Sequence, residues 1–188
     1  LTFAPYTHIP YATISEEAKM HSVVFASASK AFNMAGFASS YAVISNPTLR
    51  RRFNSYVEGN ELAAGNVFAF NTTVAAYNEG EMWLSEMLDY VQENIQFLTN
   101  YIAEHLPMLK VIVPQASYLV FIDFSALQLT QKELVALCTH KAHLALNDGS
   151  IYGEEGKGFM RINMACARSV VAQALKQLKE AIKSESLV

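Results

Sequence analysis

The sequence predicts an α/β fold, and three patterns indicate this class. The run from Val23 to Ala26 is short, apolar and uncharged, as is typical of a strand buried on both faces in a parallel α/β sheet. Between Glu81 and Leu106, apolar residues recur at helical spacing, which predicts one long amphipathic helix. After Pro107 the pattern changes to short strands alternating with helices.

The first half of the chain is predicted to contain one more strand and three shorter helices. A serine followed by two glutamates provides an N-cap and an acidic first turn for a helix over 15–20. A second strand is expected at 40–44, and an Asn-Pro pair then begins a helix over 46–56. An irregular segment, 59–65, precedes a helix that begins near residue 71 or 72.

The long helix marks the expected domain boundary. A helix of this length extends about 40 Å, at about 1.5 Å per residue, so it could link two lobes. We place the boundary near Ser85, which gives one domain over 1–84 and a second over 85–188.

The second domain is predicted to be α+β. Its strands are expected at 109–113, 118–124 and 159–165. Thr130 and Glu133 predict a capping box that opens a helix, and Ser169 is expected to cap the final helix. A turn is predicted at 147–149, and a glycine-rich loop at 153–158 precedes the last strand.

The composition indicates that much of the surface is covered by further protein. Hydrophobic residues make up 52% of the 188 residues and charged residues only 16%, whereas about 25% charged is usual in soluble domains. We expect a second subunit, or another part of the same polypeptide, to replace the missing polar surface. Leu1–Tyr6 has the character of a loop leaving an earlier element, so the chain is expected to start within a domain.

Several function classes are not expected. No apolar run approaches the roughly 18 residues of a membrane span. The net charge is -3, and the one basic cluster, Arg50–Arg52, gives no electrostatic footprint for nucleic acid. Cys138, Cys166 and the histidines lack the spacing of a metal site, and two unpaired cysteines suit a reducing cytoplasm.

Lys30 is the first candidate for chemistry, because it closely follows the predicted strand 23–26. Open α/β sheets bind ligands beyond the carboxyl ends of their strands. A partly desolvated amine at such a place is a nucleophile that can form a Schiff base with an aldehyde, and the hydroxyls of Ser27 and Ser29 can hold a phosphate. The residues alone also fit an exposed loop lysine between turn serines, and by themselves they favour that interpretation.

A family resemblance favours the chemical interpretation. The segment Ser27-Ala28-Ser29-Lys30-Ala31-Phe32-Asn33-Met34-Ala35-Gly36-Phe37 resembles the cofactor-lysine segment S-x-S-K-x-F-N-x-A-G-[LF] of the class I/II aminotransferase superfamily. These proteins are fold type I pyridoxal-phosphate enzymes, and the segment resembles most their cystathionine β-lyase, or C-S lyase, branch. Ala38 stands where many aminotransferases have a phosphate-binding arginine, which the lyases commonly lack.

The resemblance implies a fold and roles for named residues. The fold would be the C-terminal part of the large cofactor-binding domain, followed by the small C-terminal α+β domain. Lys30 would bind pyridoxal 5'-phosphate covalently and then move the α-proton of the substrate. Ser27, with Ser29 beside it, would bind the cofactor phosphate.

Arg161 is the second candidate, since it lies within an otherwise apolar strand. A guanidinium buried there needs an anionic partner, and the residues alone leave a substrate carboxylate and a structural carboxylate equally open. The segment 153–169 resembles the family segment G-x-x-G-x-G-F-[MV]-R-[IL]-N-x-A-C-[PA]-R-S. The resemblance implies that Arg161 binds the α-carboxylate of an amino-acid substrate.

The resemblance also implies a reaction and partners. The reaction would be α,β-elimination of cystathionine or a cysteine S-conjugate to a thiol, pyruvate and ammonia, carried out by a homodimer. The family aspartate that pairs with the pyridinium nitrogen is expected upstream of Leu1, so the N-terminal half is an expected partner and the chain alone is expected to be inactive. An aminotransferase, and a non-catalytic regulatory module with the same fold, are the alternatives.

Overall fold

The computed structural model describes residues 1–62 and 65–185, so two residues of the predicted irregular segment, 63–64, lie outside the described residues. Within this range no helix combines the length and apolar character that a bilayer span requires. The chain divides into two compact units, named here by their candidate residues. The lysine unit is Thr7–Met87, and the arginine unit is Leu1–Tyr6 with Leu88–Val188. The assignment of 1–84 and 85–188 to the two domains of the family remains a prediction.

The lysine unit contains, in its described residues, a two-stranded sheet and three complete α-helices. Strand β1 (Val24–Ala26) pairs with strand β2 (Tyr41–Val43). The helices are α1 (Glu16–Met20), α2 (Pro47–Gly59) and α3 (Ala69–Glu79). The predicted caps are confirmed, because Ser15 accepts a hydrogen bond from the N–H of Ala18 and Asn46 accepts two at the start of α2.

Strand β1 differs from the doubly buried parallel strand that its composition predicts. It pairs antiparallel with β2, and the Phe25 side chain is 67% exposed. An uncharged apolar sequence makes a strand suitable for burial on both faces, but the strand is buried only where other protein covers those faces. In the described part of the chain, β2 is the one strand that pairs with β1, so the outer apolar residues remain accessible.

The arginine unit is built on a four-stranded antiparallel sheet with the order β3-β4-β6-β5. The strands are β3 (Lys110–Ile112), β4 (Leu119–Asp123), β5 (Asn147–Asp148) and β6 (Phe159–Asn163). Alternate residues of the two central strands are buried: Val120, Ile122, Met160 and Ile162. Because side chains alternate across a sheet, Arg161 and its cross-strand partner Phe121 lie on the opposite face.

Three α-helices lie wholly or partly in the described residues of the arginine unit. They are α4 (Glu81–His105), which begins in the lysine unit, α5 (Gln131–Ala136) and α6 (Arg168–Ser184). Buried apolar residues of α4 and α6 form the core together with the sheet residues. The capping box of Thr130 and Glu133 is confirmed, and α4 ends before Pro107 as predicted.

Two predicted details of the arginine unit are wrong. Helix α6 begins at Arg168, and no side chain caps it from the N-cap position, so Ser169 lies inside the helix. The Tyr90 hydroxyl, a tertiary contact from α4, accepts the backbone N–H of Arg168 at 2.8 Å instead. No turn is formed at 147–148 as predicted. The backbone of Asn147–Asp148 instead pairs with β6 and forms the edge strand β5.

Candidate cofactor and substrate sites

Lys30 lies in the turn that follows β1, and its side chain is exposed. Two backbone hydrogen bonds of 3.0 Å, from Phe32 N–H to the Ala28 carbonyl and from Met34 N–H to the Ser29 carbonyl, close this turn. Ala28 is 1% and Met34 6% exposed, so buried residues anchor the turn on both sides of the lysine. The sequence therefore produces a rigid backbone from which one long cationic side chain projects.

The Lys30 ammonium is not engaged elsewhere in residues 1–62 and 65–185. No side-chain hydrogen bond to it is formed there, and no carboxylate lies within 4.0 Å of it. Lys19, the other lysine of the unit, contrasts with it because it forms an ion pair with Glu16 at 3.1 Å. Within these residues the Lys30 amine is exposed, which differs from the partly desolvated amine that the sequence predicts, but no partner there prevents it from meeting an aldehyde.

Phe32 fixes the far side of the turn through aromatic packing. Its ring stacks on Trp83 at a centroid distance of 6.3 Å and meets the Tyr77 ring edge-on at 5.7 Å. Gly80 allows this approach, because a Cβ there would lie 2.6 Å from a Phe32 ring carbon. The family-like phenylalanine two residues after the lysine thus holds the turn in place.

Ser27 and Ser29 converge beside the lysine turn. Their hydroxyl oxygens are 2.5 Å apart, and the Ser27 hydroxyl donates to the Ser39 carbonyl at 2.6 Å. Thr73 of α3 donates to the Ser39 hydroxyl at 3.0 Å, which extends the cluster to three serines and a threonine. Hydroxyl groups in such a cluster can rotate to donate to a phosphate. Together with the Lys30 amine, these hydroxyls are groups of the kind that could hold an aldehyde-bearing phosphate ester.

Sequence reasoning missed the part of this cluster that α3 supplies. Thr73 and Tyr77 are one helical turn apart, and each bonds a residue at or near the start of β2: Thr73 bonds Ser39, and Tyr77 bonds Tyr41 at 3.2 Å between hydroxyl oxygens. The hydrogen bond with Tyr41, followed by burial, raises the pKa of Tyr77 to about 12. The only signal in the sequence is the pair of hydroxyl residues at i and i+4 on the predicted helix.

Arg161 lies at the centre of β6, between Phe121 of β4 and Asn147 of β5 in the strand register. Its Nη2 donates to the Asn147 side-chain oxygen at 3.1 Å. The Tyr152 ring lies 4.6 Å from the guanidinium carbon, and Phe121 contacts that ring edge-on at 5.6 Å. The guanidinium is thus held by an aromatic face and a neutral amide.

Arg161 has no structural carboxylate partner in the described part of the chain. No acidic oxygen there lies within 4.0 Å of its guanidinium, and its Nε, shielded from solvent, has no hydrogen-bond partner. The structural ion pair that the sequence left open is therefore not formed within these residues. A partly buried guanidinium with unused donors fits an anionic ligand.

Arg168, seven residues later, has the opposite environment. Its Nε donates to the side-chain oxygen of Asn94, and its Nη2 lies 3.5 Å from a Glu93 carboxylate oxygen. Asn94 is fully buried, and its amide donates to the carbonyls of Met164 and Cys166 at 3.0 and 2.9 Å. Sequence reasoning missed this network, although an asparagine on the apolar side of a long helix is a signal for it.

The remaining candidate groups show no site in residues 1–62 and 65–185. No cluster of three or more histidine, cysteine or acidic residues could hold a metal there. Cys138 is fully buried, and burial raises the pKa of its thiol to about 12, as expected for a small core residue.

Comparison with known proteins establishes the family. The model of the aminotransferase class I and II family matches residues 2–178, so the chain belongs to this family. Within it, the resemblance to the cystathionine β-lyase and C-S lyase branch is confirmed. The chain is 34% identical over 177 residues to the cystathionine β-lyase PatB of Bacillus subtilis strain 168, covering 94% of the chain and 46% of PatB.

Solved structures of this family share the fold. A pyridoxal-phosphate-bound protein from Clostridium difficile 630 superposes with a TM-score of 0.93 at 38% identity, over 96% of this chain and 47% of that one. Cystalysin from Treponema denticola, which contains pyridoxal 5'-phosphate, superposes with a TM-score of 0.92 at 29% identity, over 98% of this chain and 47% of that one. The predicted fold type I class is confirmed, and the chain spans just under half the length of these relatives.

Proposed function

We propose that this chain carries the cofactor lysine and the substrate arginine of a pyridoxal-phosphate-dependent C-S β-lyase. The observation that carries the proposal is the exposed Lys30 amine, which has no partner in the described residues and lies in a hydrogen-bonded turn beside the Ser27–Ser29 hydroxyl pair. Pyridoxal 5'-phosphate, when bound, supplies an aldehyde for the amine and an electron sink for the α-carbon of the substrate. The reaction is the elimination of a thiol from cystathionine or a cysteine S-conjugate, after which water hydrolyses the remaining three-carbon enamine to pyruvate and ammonia.

Each residue has a distinct part in this proposal. The Lys30 Nζ would hold the cofactor, and the same amine would accept the α-proton of the substrate. Ser27 and Ser29 orient the phosphate through their hydroxyls, a role supported by their convergence. Arg161 binds the substrate carboxylate, a role supported by the lack of an acidic partner in the described residues.

The names of the relatives and the residue at 38 support the lyase outcome. PatB is a cystathionine β-lyase, and Ala38 stands where the lyase branch commonly lacks the phosphate-binding arginine of many aminotransferases. An aminotransferase would return the proton to the cofactor and release a keto acid that keeps the substrate side chain. The product of a cystathionine assay therefore distinguishes the two reactions.

The decisive experiment compares lysine variants of the full-length protein that carries this chain. Lys30→Ala is expected to abolish the visible absorbance of bound cofactor and the formation of pyruvate from cystathionine. Lys19→Ala is the matched control, because Lys19 lies in the same unit and is paired with Glu16. Retained absorbance and turnover in Lys30→Ala would contradict the proposal. If the unmodified protein forms a sulfur-containing keto acid instead of pyruvate, the reaction is that of an aminotransferase and not of a lyase.

The role of Arg161 is tested by its effect on substrate affinity. Hydrogen bonds to charged groups contribute about 1.5–3 kcal/mol, which is a factor of about 10 to 100 in affinity. Arg161→Lys keeps the charge but loses the planar fork of donors, so KM is expected to rise by about this factor with a smaller change in kcat. Arg51→Lys, on exposed α2, is the control and is expected to change neither.

We also propose that the lysine unit is covered by the N-terminal half of a longer polypeptide and by a second copy in a homodimer. Large apolar side chains of this unit are exposed, among them Ile9, Tyr56, Val67, Phe68, Phe70 and Met82. Sedimentation of the full-length protein should give a dimer, and a monomer at micromolar concentration would contradict this. Because the chain spans 46% of PatB, we expect the 188-residue chain alone to form no pyruvate.

A further inference from the structure

Two residues outside the proposed catalytic set surround the guanidinium of Arg161. Tyr152 ends the short 3-10 helix Gly149–Tyr152, and Asn147 lies in the edge strand β5. The backbone of Asn147 is opposite Arg161 in the register of β5 and β6, so the two side chains share a face of the sheet. Both residues therefore reach the guanidinium from the segment just before the glycine-rich loop.

The two contacts restrict different motions. The Tyr152 ring, with its centroid 4.6 Å from the guanidinium carbon, opposes movement of the guanidinium away from that ring. The hydrogen bond from Nη2 to Asn147, at 3.1 Å, opposes rotation within the guanidinium plane. Phe121 contacts the Tyr152 ring from β4, so the ring itself is supported by the sheet.

The chemistry of the two partners is also significant. Neither one is anionic, so they hold the guanidinium without neutralising it. Asn147 uses one of the five N–H donors of the group, and Tyr152 uses none, since it acts through its ring face. A carboxylate in place of the Asn147 amide would form the ion pair that a ligand otherwise makes.

We propose that Tyr152 and Asn147 are positioning residues that hold Arg161 in a fixed, uncompensated state for a ligand carboxylate. This inference rests on the proposed substrate role of Arg161, and it adds two residues to which no role has been given. The amide of Asn147 is required to be neutral, and the ring of Tyr152 is required to be aromatic, whereas its hydroxyl is dispensable.

The test measures the guanidinium directly in the full-length protein. Phenylglyoxal modifies arginines, and peptide mass spectrometry gives the rate at Arg161 relative to exposed Arg51 in the same sample. Propionate, a carboxylate without an amino group, is titrated to find the concentration that halves the Arg161 rate. This readout needs no turnover and is independent of reaction at the cofactor.

Four variants separate the contributions. Tyr152→Leu is expected to speed Arg161 modification and to raise the half-protecting propionate concentration about 3- to 10-fold, whereas Tyr152→Phe remains within twofold of wild type. Asn147→Asp, nearly isosteric, is expected to raise that concentration about tenfold or more, because its own carboxylate competes. Ile151→Ala, an exposed neighbour, is the control and should match wild type. Circular dichroism checks that all four variants are folded.

The outcomes distinguish this inference from the proposed function. If propionate protects Arg161 in wild type but Tyr152→Leu and Asn147→Asp behave like wild type, the positioning role is overturned while the carboxylate role stands. If propionate protects Arg161 neither in wild type nor in any variant, yet Tyr152→Leu still speeds modification, then Tyr152 holds Arg161 in place. The proposed role of Arg161 in binding a carboxylate would fail in that case. A Tyr152→Phe variant as impaired as Tyr152→Leu would contradict an aromatic role and assign the effect to the hydroxyl.

Discussion

Replacement of Asn94 by alanine is expected to destabilise the arginine unit more than any change on the exposed face of α4. The Asn94 side chain is fully buried and makes three hydrogen bonds, to the carbonyls of Met164 and Cys166 and from Nε of Arg168. It thereby joins α4 to the segment that connects β6 with α6. Alanine removes all three bonds and leaves their partners in place.

The magnitude follows from the three groups left without a partner. A buried polar group that loses its hydrogen bond costs about 1–3 kcal/mol. Met164 is fully buried, so its carbonyl cannot gain water, whereas Cys166 and Arg168 are partly accessible and their groups can be rehydrated. One full penalty and two reduced ones give a loss of about 3 kcal/mol in the free energy of unfolding.

A thiol-labelling assay reports on the arginine unit specifically. Cys138 lies in this unit and is fully buried, so alkylation requires the unit to open, and the labelling rate measures the opening equilibrium. A loss of about 3 kcal/mol corresponds to labelling on the order of 100-fold faster in Asn94→Ala. The control is Asn100→Ala, an exposed asparagine of the same helix, expected to change the rate less than about threefold.

Two results would refute this reasoning. If Asn94→Ala labels no faster than Asn100→Ala, the buried hydrogen bonds make no net contribution to stability. Alternatively, Arg168→Ala could be as damaging as Asn94→Ala, which would assign the stability to the arginine alone. A double-mutant cycle with both changes is expected to show a coupling energy of about 1 kcal/mol, since one of the three bonds joins the two residues.

Three further perturbations have defined outcomes. Gly80→Ala is expected to lower the melting temperature, since its Cβ would lie 2.4 Å from a backbone oxygen of the preceding turn; an unchanged value would contradict that packing. Tyr41→Phe is expected to lower the pKa of Tyr77 from about 12, by removing the hydrogen bond that is the largest cause of the shift, as carbon NMR of the tyrosine rings would show. The side-chain hydrogen bond with Thr130 lowers the pKa of Glu133. The ionised Glu133 carboxylate therefore stabilises the fold at pH values above its unfolded-state pKa, and this stabilisation is lost as the pH falls through its folded-state pKa. Thr130→Ala should raise that pKa in a carboxyl NMR titration and make the acid-induced loss of stability less steep.

Local capping signals in the sequence predicted the starts of three helices, α1, α2 and α5. The caps Ser15, Asn46 and Thr130 each act within three residues, so their geometry is encoded where it is used. The predicted start of α6 at Ser169 was wrong, because the N–H of Arg168 is bound by the Tyr90 hydroxyl, which is distant in the sequence. The pairing of β1 failed for the same reason, since the composition of a strand does not specify its partner strand.

The candidate site was predictable where a motif is contiguous and unpredictable where the fold assembles it. Lys30, Ser27 and Ser29 lie within four residues, so the family segment identified them together. Thr73 joins the hydroxyl cluster through a bond to Ser39, 34 positions away. Asn147 contacts Arg161 from the neighbouring strand, and this pairing follows from the register of β5 and β6, not from the sequence.

The two arginines of one family segment show why residue type alone does not assign a role. Arg161 and Arg168 are seven residues apart, both are partly buried, and both contact an aromatic ring. Arg168 has, besides Asn94, the Glu93 carboxylate at 3.5 Å, so its charge is compensated within the fold. Arg161 has a neutral amide and no acidic partner in the described residues, so its charge is not compensated there. Because a buried or half-buried cation is costly without an anion, we propose that Arg161, rather than Arg168, is the arginine that receives its partner from a ligand.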